Sequence, residues 1–190
     1  MFTYITFEMF THLTNAHIFS HIDYCLPIYS CRSDIEINDL QCKISKFVLS
    51  FAYKTKTLSK ILKTKSKNFY RIQNFDIPKN ILHNLYEKCN FFTVSERILY
   101  YSSVQMFKFL KFGSNCVHFD LLFQFDFSTS PRFENLINSL DRNSETFKRS
   151  IKYRFVNIWN QLPNDLRNLR LGFTKFKKLI STHILEGRLD

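Results

Sequence analysis

Ser33-x-x-Glu36, followed by apolar residues at helical spacing, constrains the folding of this 190-residue chain more than any other feature. In such a capping box the serine hydroxyl accepts a hydrogen bond from the third helical amide while the carboxylate reaches back to the serine amide, so the helix start is specified twice. Behind it Ile37, Leu40, Ile44, Phe47, Val48 and Phe51 recur at helix spacing, with Asp39, Lys43 and Lys46 opposite. The spacing predicts an amphipathic helix over about residues 34–53. Thr93-x-x-Glu96 repeats the device. It introduces Leu99, Met106, Phe107 and Leu110 on one face, Arg97, Gln105 and Lys108 on the other, and Gly113 as the stop. A mainly α fold follows.

The remaining segments are less sharply written. Pro78 is expected to open a helix running to about Cys89, with Ile81, Leu82 and Leu85 inward, because proline suits a first turn. Residues 2–24 are apolar without a clean period, as in a helix buried on more than one side. Residues 54–72 carry a short stripe of Leu58, Ile61 and Leu62 and either extend the preceding helix or form another. From Asn115 to about Glu145 the pattern loosens, with Ser128-Thr129-Ser130-Pro131 as punctuation. Ile151, Tyr153 and Phe155 alternate with Lys152 and Arg154, which reads as a short extended segment. Thr174 is placed to cap a last helix whose buried stripe is Phe176, Leu179, Ile180 and Ile184, with Gly187 as its stop. The organisation expected is a helical region over residues 1–112, a loose connection over 113–144 and a small C-terminal module over 145–190.

The net charge of +11 is unevenly spread. Between Leu40 and Phe75 stand Lys43, Lys46, Lys54, Lys56, Lys60, Lys63, Lys65, Lys67 and Arg71 with no acidic residue. Between Glu145 and Ile180 stand Lys148, Arg149, Lys152, Arg154, Arg167, Arg170, Lys175, Lys177 and Lys178 against Glu145 and Asp165. Clustering of this kind is the electrostatic footprint of a phosphate-backbone partner, and equally of a solvated face that keeps an apolar-rich protein in solution. The stretch with the best claim to nucleic acid comprises Lys54, Lys56, Lys60, Lys63, Lys67 and Arg71. As a helix it would present Lys60, Lys63, Lys67 and Arg71 on one side, with Phe69 and Tyr70 nearby for stacking. The 22 phenylalanines and 9 tyrosines are not read as a field of stacking platforms, since nucleotide bias toward A/T-rich codons enriches the same residues.

Little else points to chemistry. His17, His21 and Cys25 fall in one row of a helix, but the loop spacing of a zinc knuckle is missing, and a packed helix face accounts for them. No nucleophile signature surrounds any of the 5 cysteines, which are odd in number and irregularly spaced, as expected of free thiols in a reduced, intracellular protein. Glu8, His12, His17, His21 and Asp23 interrupt the apolar N-terminal stretch and argue against a membrane span. No metal site, catalytic residue or small-molecule substrate is expected.

One more local pattern stands out: Trp159-Asn160-Gln161-Leu162-Pro163, then Phe173-x-x-Phe176-Lys177-Lys178-Leu179. Its tryptophan is the only one in the chain. A large apolar ring with one N–H donor anchors small cores, and Pro163 forces Leu162 toward an extended conformation. Trp159, Leu162, Leu166 and Phe176 are therefore expected to meet as a packing corner, with Asn160 bonding local backbone.

The same step resembles the C-terminal end of reverse transcriptases from non-LTR (LINE or jockey-type) retrotransposons. Ser20-His21-Ile22-Asp23-Tyr24-Cys25 is similar to the segment that follows the polymerase palm in that family. Leu85-Tyr86-Glu87-Lys88-Cys89-Asn90-Phe91-Phe92 and Gln105-Met106-Phe107-Lys108-Phe109 lie between them in matching order. The resemblance implies a thumb-like helical bundle over 1–112 and a post-thumb module built on Trp159, Asn160, Leu162, Pro163, Phe173 and Phe176. Its implied partners are an RNA or DNA backbone and the polymerase palm. The parent activity, RNA-directed DNA synthesis, uses magnesium held by paired aspartates. This chain contains no Asp-Asp step and only 3 glycines, so it can neither hold that metal pair nor build a phosphate-cradling glycine loop. The expectation is a fragment that is catalytically silent alone, with at most non-specific nucleic-acid binding. The alternatives are a free-standing basic adaptor and an inert transposon remnant.

Overall fold

The computed structural model describes residues 5–29, 32–54, 85–113, 137 and 150–187. These are mainly α-helical and include no β-strand. In chain order they form α1 (Phe7–Thr14), a π-helical turn (Asn15–Phe19), α2 (Ser20–Tyr29), α3 (Asp34–Lys54), α4 (Val94–Phe112), α5 (Ile151–Gln161) and α6 (Phe173–Glu186). The chain divides into two compact units, one of Met1–Cys25 with Ser33–Ser95, the other of Leu26–Arg32 with Glu96–Asp190. Residues 55–84, and 114–149 apart from Ile137, lie outside the described set, as does the helix expected to start at Pro78 until its last turn.

In the first unit, Thr6 opens α1 by accepting a hydrogen bond from the Met9 amide at 3.2 Å. Phe10 and Thr14, four apart, are buried, yet the next buried residue is Phe19, five further on. The π-turn supplies the extra residue and shifts the phase of the helix, which is why residues 2–24 show no clean period. Burial on more than one side does not follow: Met9 is half exposed and Tyr24 is 88% exposed, so the segment buries a single stripe.

The capping box at α3 is built as its chemistry requires. The Ser33 amide donates to Glu36 Oε2 at 3.0 Å and the Glu36 amide donates to Ser33 Oγ at 3.4 Å. Ile37, Ile44, Val48, Leu49 and Ala52 are buried behind it, but Phe47 is 63% exposed. Leu49 and Ala52 draw the centre of the buried face round the helix and leave Phe47 beyond its edge. Within this unit Phe10 stacks on Phe51 with centroids 5.5 Å apart, and Phe19 meets Phe91 edge-on at 5.1 Å and Tyr86 at 6.4 Å. A polar chain runs through the same packing. The Val94 amide donates to Gln41 Oε1 at 2.6 Å, Gln41 Nε2 donates to Ser45 Oγ at 2.9 Å, and Ser45 Oγ donates to the Tyr86 hydroxyl at 3.4 Å. The short helical turn at 85–88 ends with Asn90 at φ 50°, the Phe91 amide bonded to Tyr86 O and the Asn90 amide to Glu87 O. This is a Schellman stop with asparagine in the left-handed position usually held by glycine.

In the second unit, α4 ends where Gly113 takes φ 72° and returns its amide to Phe109 O at 2.9 Å. Two local expectations are corrected here. The extended segment expected at Ile151–Phe155 is helical: Ser150 accepts from the Tyr153 amide at 3.2 Å, and the buried residues are Phe155, Val156 and Trp159, which is helix spacing. The alternation covered too few residues to separate a period of two from one of 3.6. The last helix is not capped by Thr174. It starts at Phe173 with Gly172 as N-cap and no side-chain cap bond, and Thr174 is an exposed first-turn residue.

Cys89 belongs to the first unit's core, and burial pushes its thiol up to about 12 from the ordinary 9.0. An unfolded thiol sheds its proton near the ordinary value while the native one keeps it, so the native state loses stability as pH rises from about 9 toward 12. Denaturant midpoints measured from neutral pH to about pH 10 should fall less steeply for Cys89→Ala than for wild type. Equal slopes would assign the loss to other groups.

Candidate functional site

Among the site residues expected from sequence, those of the Trp159 step are described. Trp159 sits on the last turn of α5 and is fully buried. The chain leaves the helix at Leu162, whose φ −66° and ψ 145° are those a residue before proline must adopt, and the Leu162 amide bonds back to Trp159 O at 3.1 Å. Pro163 O then accepts the amides of Leu166 and Arg167 at 3.0 and 3.1 Å, turning the chain. Leu162 and Leu166 are buried, as are Phe176, Ile180 and Ile184 of α6; Phe173 is partly covered and Pro163 exposed.

Two contributors to this corner were missing from the sequence reading. Phe107 of α4 lies flat on Phe176, centroids 4.1 Å apart and planes 13° from parallel, and Trp159 lies 6.4 Å from the same ring. Ile137 is the other. Asn160 Oδ1 accepts the Ile137 amide at 3.1 Å while Asn160 Nδ2 donates to Ile137 O at 2.8 Å. One side-chain amide thereby satisfies both backbone groups of a buried residue, as a neighbouring strand would. Asn160 therefore bonds a segment distant in sequence, not the local backbone expected. The length of chain between the two gave no signal for it.

Cations gather at the start of α6. Lys111 Nζ donates to Leu171 O and lies 5.5 Å from the Phe107 ring centroid and 5.7 Å from that of Phe112. Lys177 Nζ lies 4.6 Å from the Phe173 centroid. Arg170, Lys175 and Lys178 are exposed. Arg167 differs: it is 5% exposed, Nη2 donates to Asn164 Oδ1, and Nε and Nη1 have no hydrogen-bond partner among the described residues. Burial pulls its pKa below the ordinary arginine value.

Of the cations assigned to nucleic acid, Lys54 is the last residue of α3, and Lys56, Lys60, Lys63, Lys67 and Arg71 lie outside the described residues. His17 and His21 are exposed and Cys25 half-buried, and the π-turn interrupts the regular row they were read on. Among the described residues no three His, Cys, Asp or Glu side chains are grouped to hold a metal ion, and no helix is long and apolar enough to cross a membrane.

Comparison of the chain with protein-family models, with curated proteins and with solved structures finds no match in any of the three.

Trp159→Ala should lower the stability of the second unit by about 3–5 kcal/mol, the cost of emptying a buried aromatic site, measured by urea unfolding. A loss under about 1 kcal/mol would show that the ring is not the anchor. Arg167→Met should leave stability unchanged or raise it by about 1 kcal/mol or more, because it removes a buried charge with unpaired donors. A marked loss would mean that the guanidinium has a partner in solution.

Proposed function

We propose that the chain is thumb and post-thumb polypeptide of the non-LTR retrotransposon reverse transcriptase kind, and that it holds nucleic acid by the backbone without catalysing synthesis. The observation that carries this reading is the ordered series of four motifs. Among the described residues each falls on a helix or at a helix end. Ser20-His21-Ile22-Asp23-Tyr24-Cys25 lies in α2, and Leu85 to Phe92 spans the Schellman stop. Gln105 to Phe109 lies in α4, and the Trp159 step closes α5. The net charge of +11 supports the same reading, because a thumb grips a duplex through phosphates and needs positive charge without base readout.

The division of labour follows from composition. Phosphoryl transfer needs carboxylates to hold divalent cations, and the chain offers no paired aspartates. Backbone binding needs only closely spaced cations, which the run from Lys54 to Arg71 supplies.

Fluorescence anisotropy with a labelled primer–template over a range of salt concentrations tests the reading. Affinity should be sequence-independent and fall with salt, each neutralised phosphate adding about −0.7 to −0.9 to the log–log slope. The K60Q/K63Q/K67Q/R71Q chain should flatten that slope by up to about 3 units. No binding at low salt overturns the proposal. Primer extension with magnesium should show no incorporation above buffer, and incorporation would overturn the non-catalytic assignment.

A further inference from the structure

We infer that His12, His17 and His21 form a site for a divalent late-transition-metal ion of the zinc or nickel kind, with His17 as the shared ligand and His12 or His21 as the second.

The π-turn makes the row. Phe10 and Phe19 are both buried, and the Ser20 amide bonds to Asn15 O across the turn. His12 and His21 each lie two residues beyond one of these rings, so they share one exposed side of the helix. His17 stands between them, five residues after His12 and four before His21. On an uninterrupted α-helix residues five apart point in different directions. The surplus residue of the π-turn brings His12 and His17 onto neighbouring turns of one face. All three residues are exposed, and none of their rings has a hydrogen-bond, ion-pair or ring partner among the described residues.

The charge around the row selects a cation. Residues 1–31 contain no Lys or Arg, although the chain has 27, and their charged side chains are Glu8 and Asp23. Glu8 is exposed one turn before His12. A solvated face needs no imidazoles, and elsewhere this chain meets that need with lysine. Here lysine is withheld and histidine stands in its place, which is the reverse of a phosphate-binding surface. Imidazole nitrogen is a ligand for zinc, copper and nickel, whereas magnesium takes oxygen, so the ion belongs to the first group. Two histidines one turn apart on a helix face are the arrangement by which H-E-x-x-H helices hold zinc. One ion can use only two of the three rings, because nine residues of helix separate His12 from His21 by about 13 Å. No group of three such ligands is accordingly found among the described residues.

The test titrates nickel chloride into the untagged full chain by isothermal calorimetry. Nickel is the probe because imidazole suits it while thiolates select softer ions, and the cysteines are the same in every variant. Wild type should bind one ion per chain. Losing even an outer-shell partner of a metal site costs about 10–100-fold, so H17Q should weaken binding at least about tenfold. H12Q and H21Q should each cost about twofold, since one of the two alternative pairs remains. The H12Q/H21Q double variant should fall as far as H17Q. Nickel should also raise the melting temperature of wild type and not that of H17Q. Without metal all variants should melt alike, because the rings are exposed. If H17Q melts early, the double variant decides, since its changes lie outside the π-turn. Absence of wild-type binding, or wild-type affinity in the double variant, overturns the site. Equal losses from the three single variants would show independent rings and overturn the shared role of His17.

Discussion

Phe107 and Phe176 lie face to face at 4.1 Å, and the order around the Trp159 step depends on that contact. It joins α4 to α6 through their most buried rings, and it sets the floor on which Trp159 rests 6.4 Å away. Once α6 is fixed, Phe173 falls beside Phe107 and Phe112, and Lys111 reaches the carbonyl of Leu171. The cationic end of the helix is thus held in place by apolar packing beneath it. Rings this large bury enough area to hold a small module together, and their preference for particular mutual angles gives the packing direction as well as strength.

The first unit uses aromatic packing differently. Its rings meet mostly at steep angles, as Phe19 does with Phe91 at 70° and Tyr86 with Phe91 at 80°, and a polar chain threads the same region. Gln41 is central to that chain. Its amide accepts from Val94, one of the orphan donors at the start of α4, and donates to Ser45 on the next turn of its own helix. A half-buried glutamine on an apolar helix would otherwise weaken α3. Here it supplies what the opening turn of α4 lacks.

The legible parts of the sequence were those where local chemistry is complete within a few residues. The Ser33–Glu36 box, the Gly113 stop and the proline-imposed turn at Leu162 each specify their own geometry. The obscure parts depended on partners far away in the chain. Nothing near Asn160 announces Ile137, and nothing near Phe107 announces Phe176, because tertiary contacts leave no local period. Thr174 misled for a related reason: a threonine near a helix start is a good cap only at the N-cap position, and Gly172 occupies it. The short alternation at Ile151–Phe155 was ambiguous by length alone. As for the candidate site, the sequence singled out Trp159 and Phe176, whose rings lie near each other, but not Phe107, which stacks on Phe176.

The π-turn between Thr14 and Ser20 bears on how this chain tolerates changes in length. A π-turn holds one residue more than the α-helix it interrupts, and the surplus is absorbed locally. Deleting Ala16 would bring the phenylalanine now at position 19 to four residues beyond Thr14, on the same stripe as Phe10, and leave the helices on either side in phase. Elsewhere in α3 or α4 the loss of one residue would rotate every following side chain off its face. A segment without a clean hydrophobic period is therefore also one where the loss of a residue is forgiven.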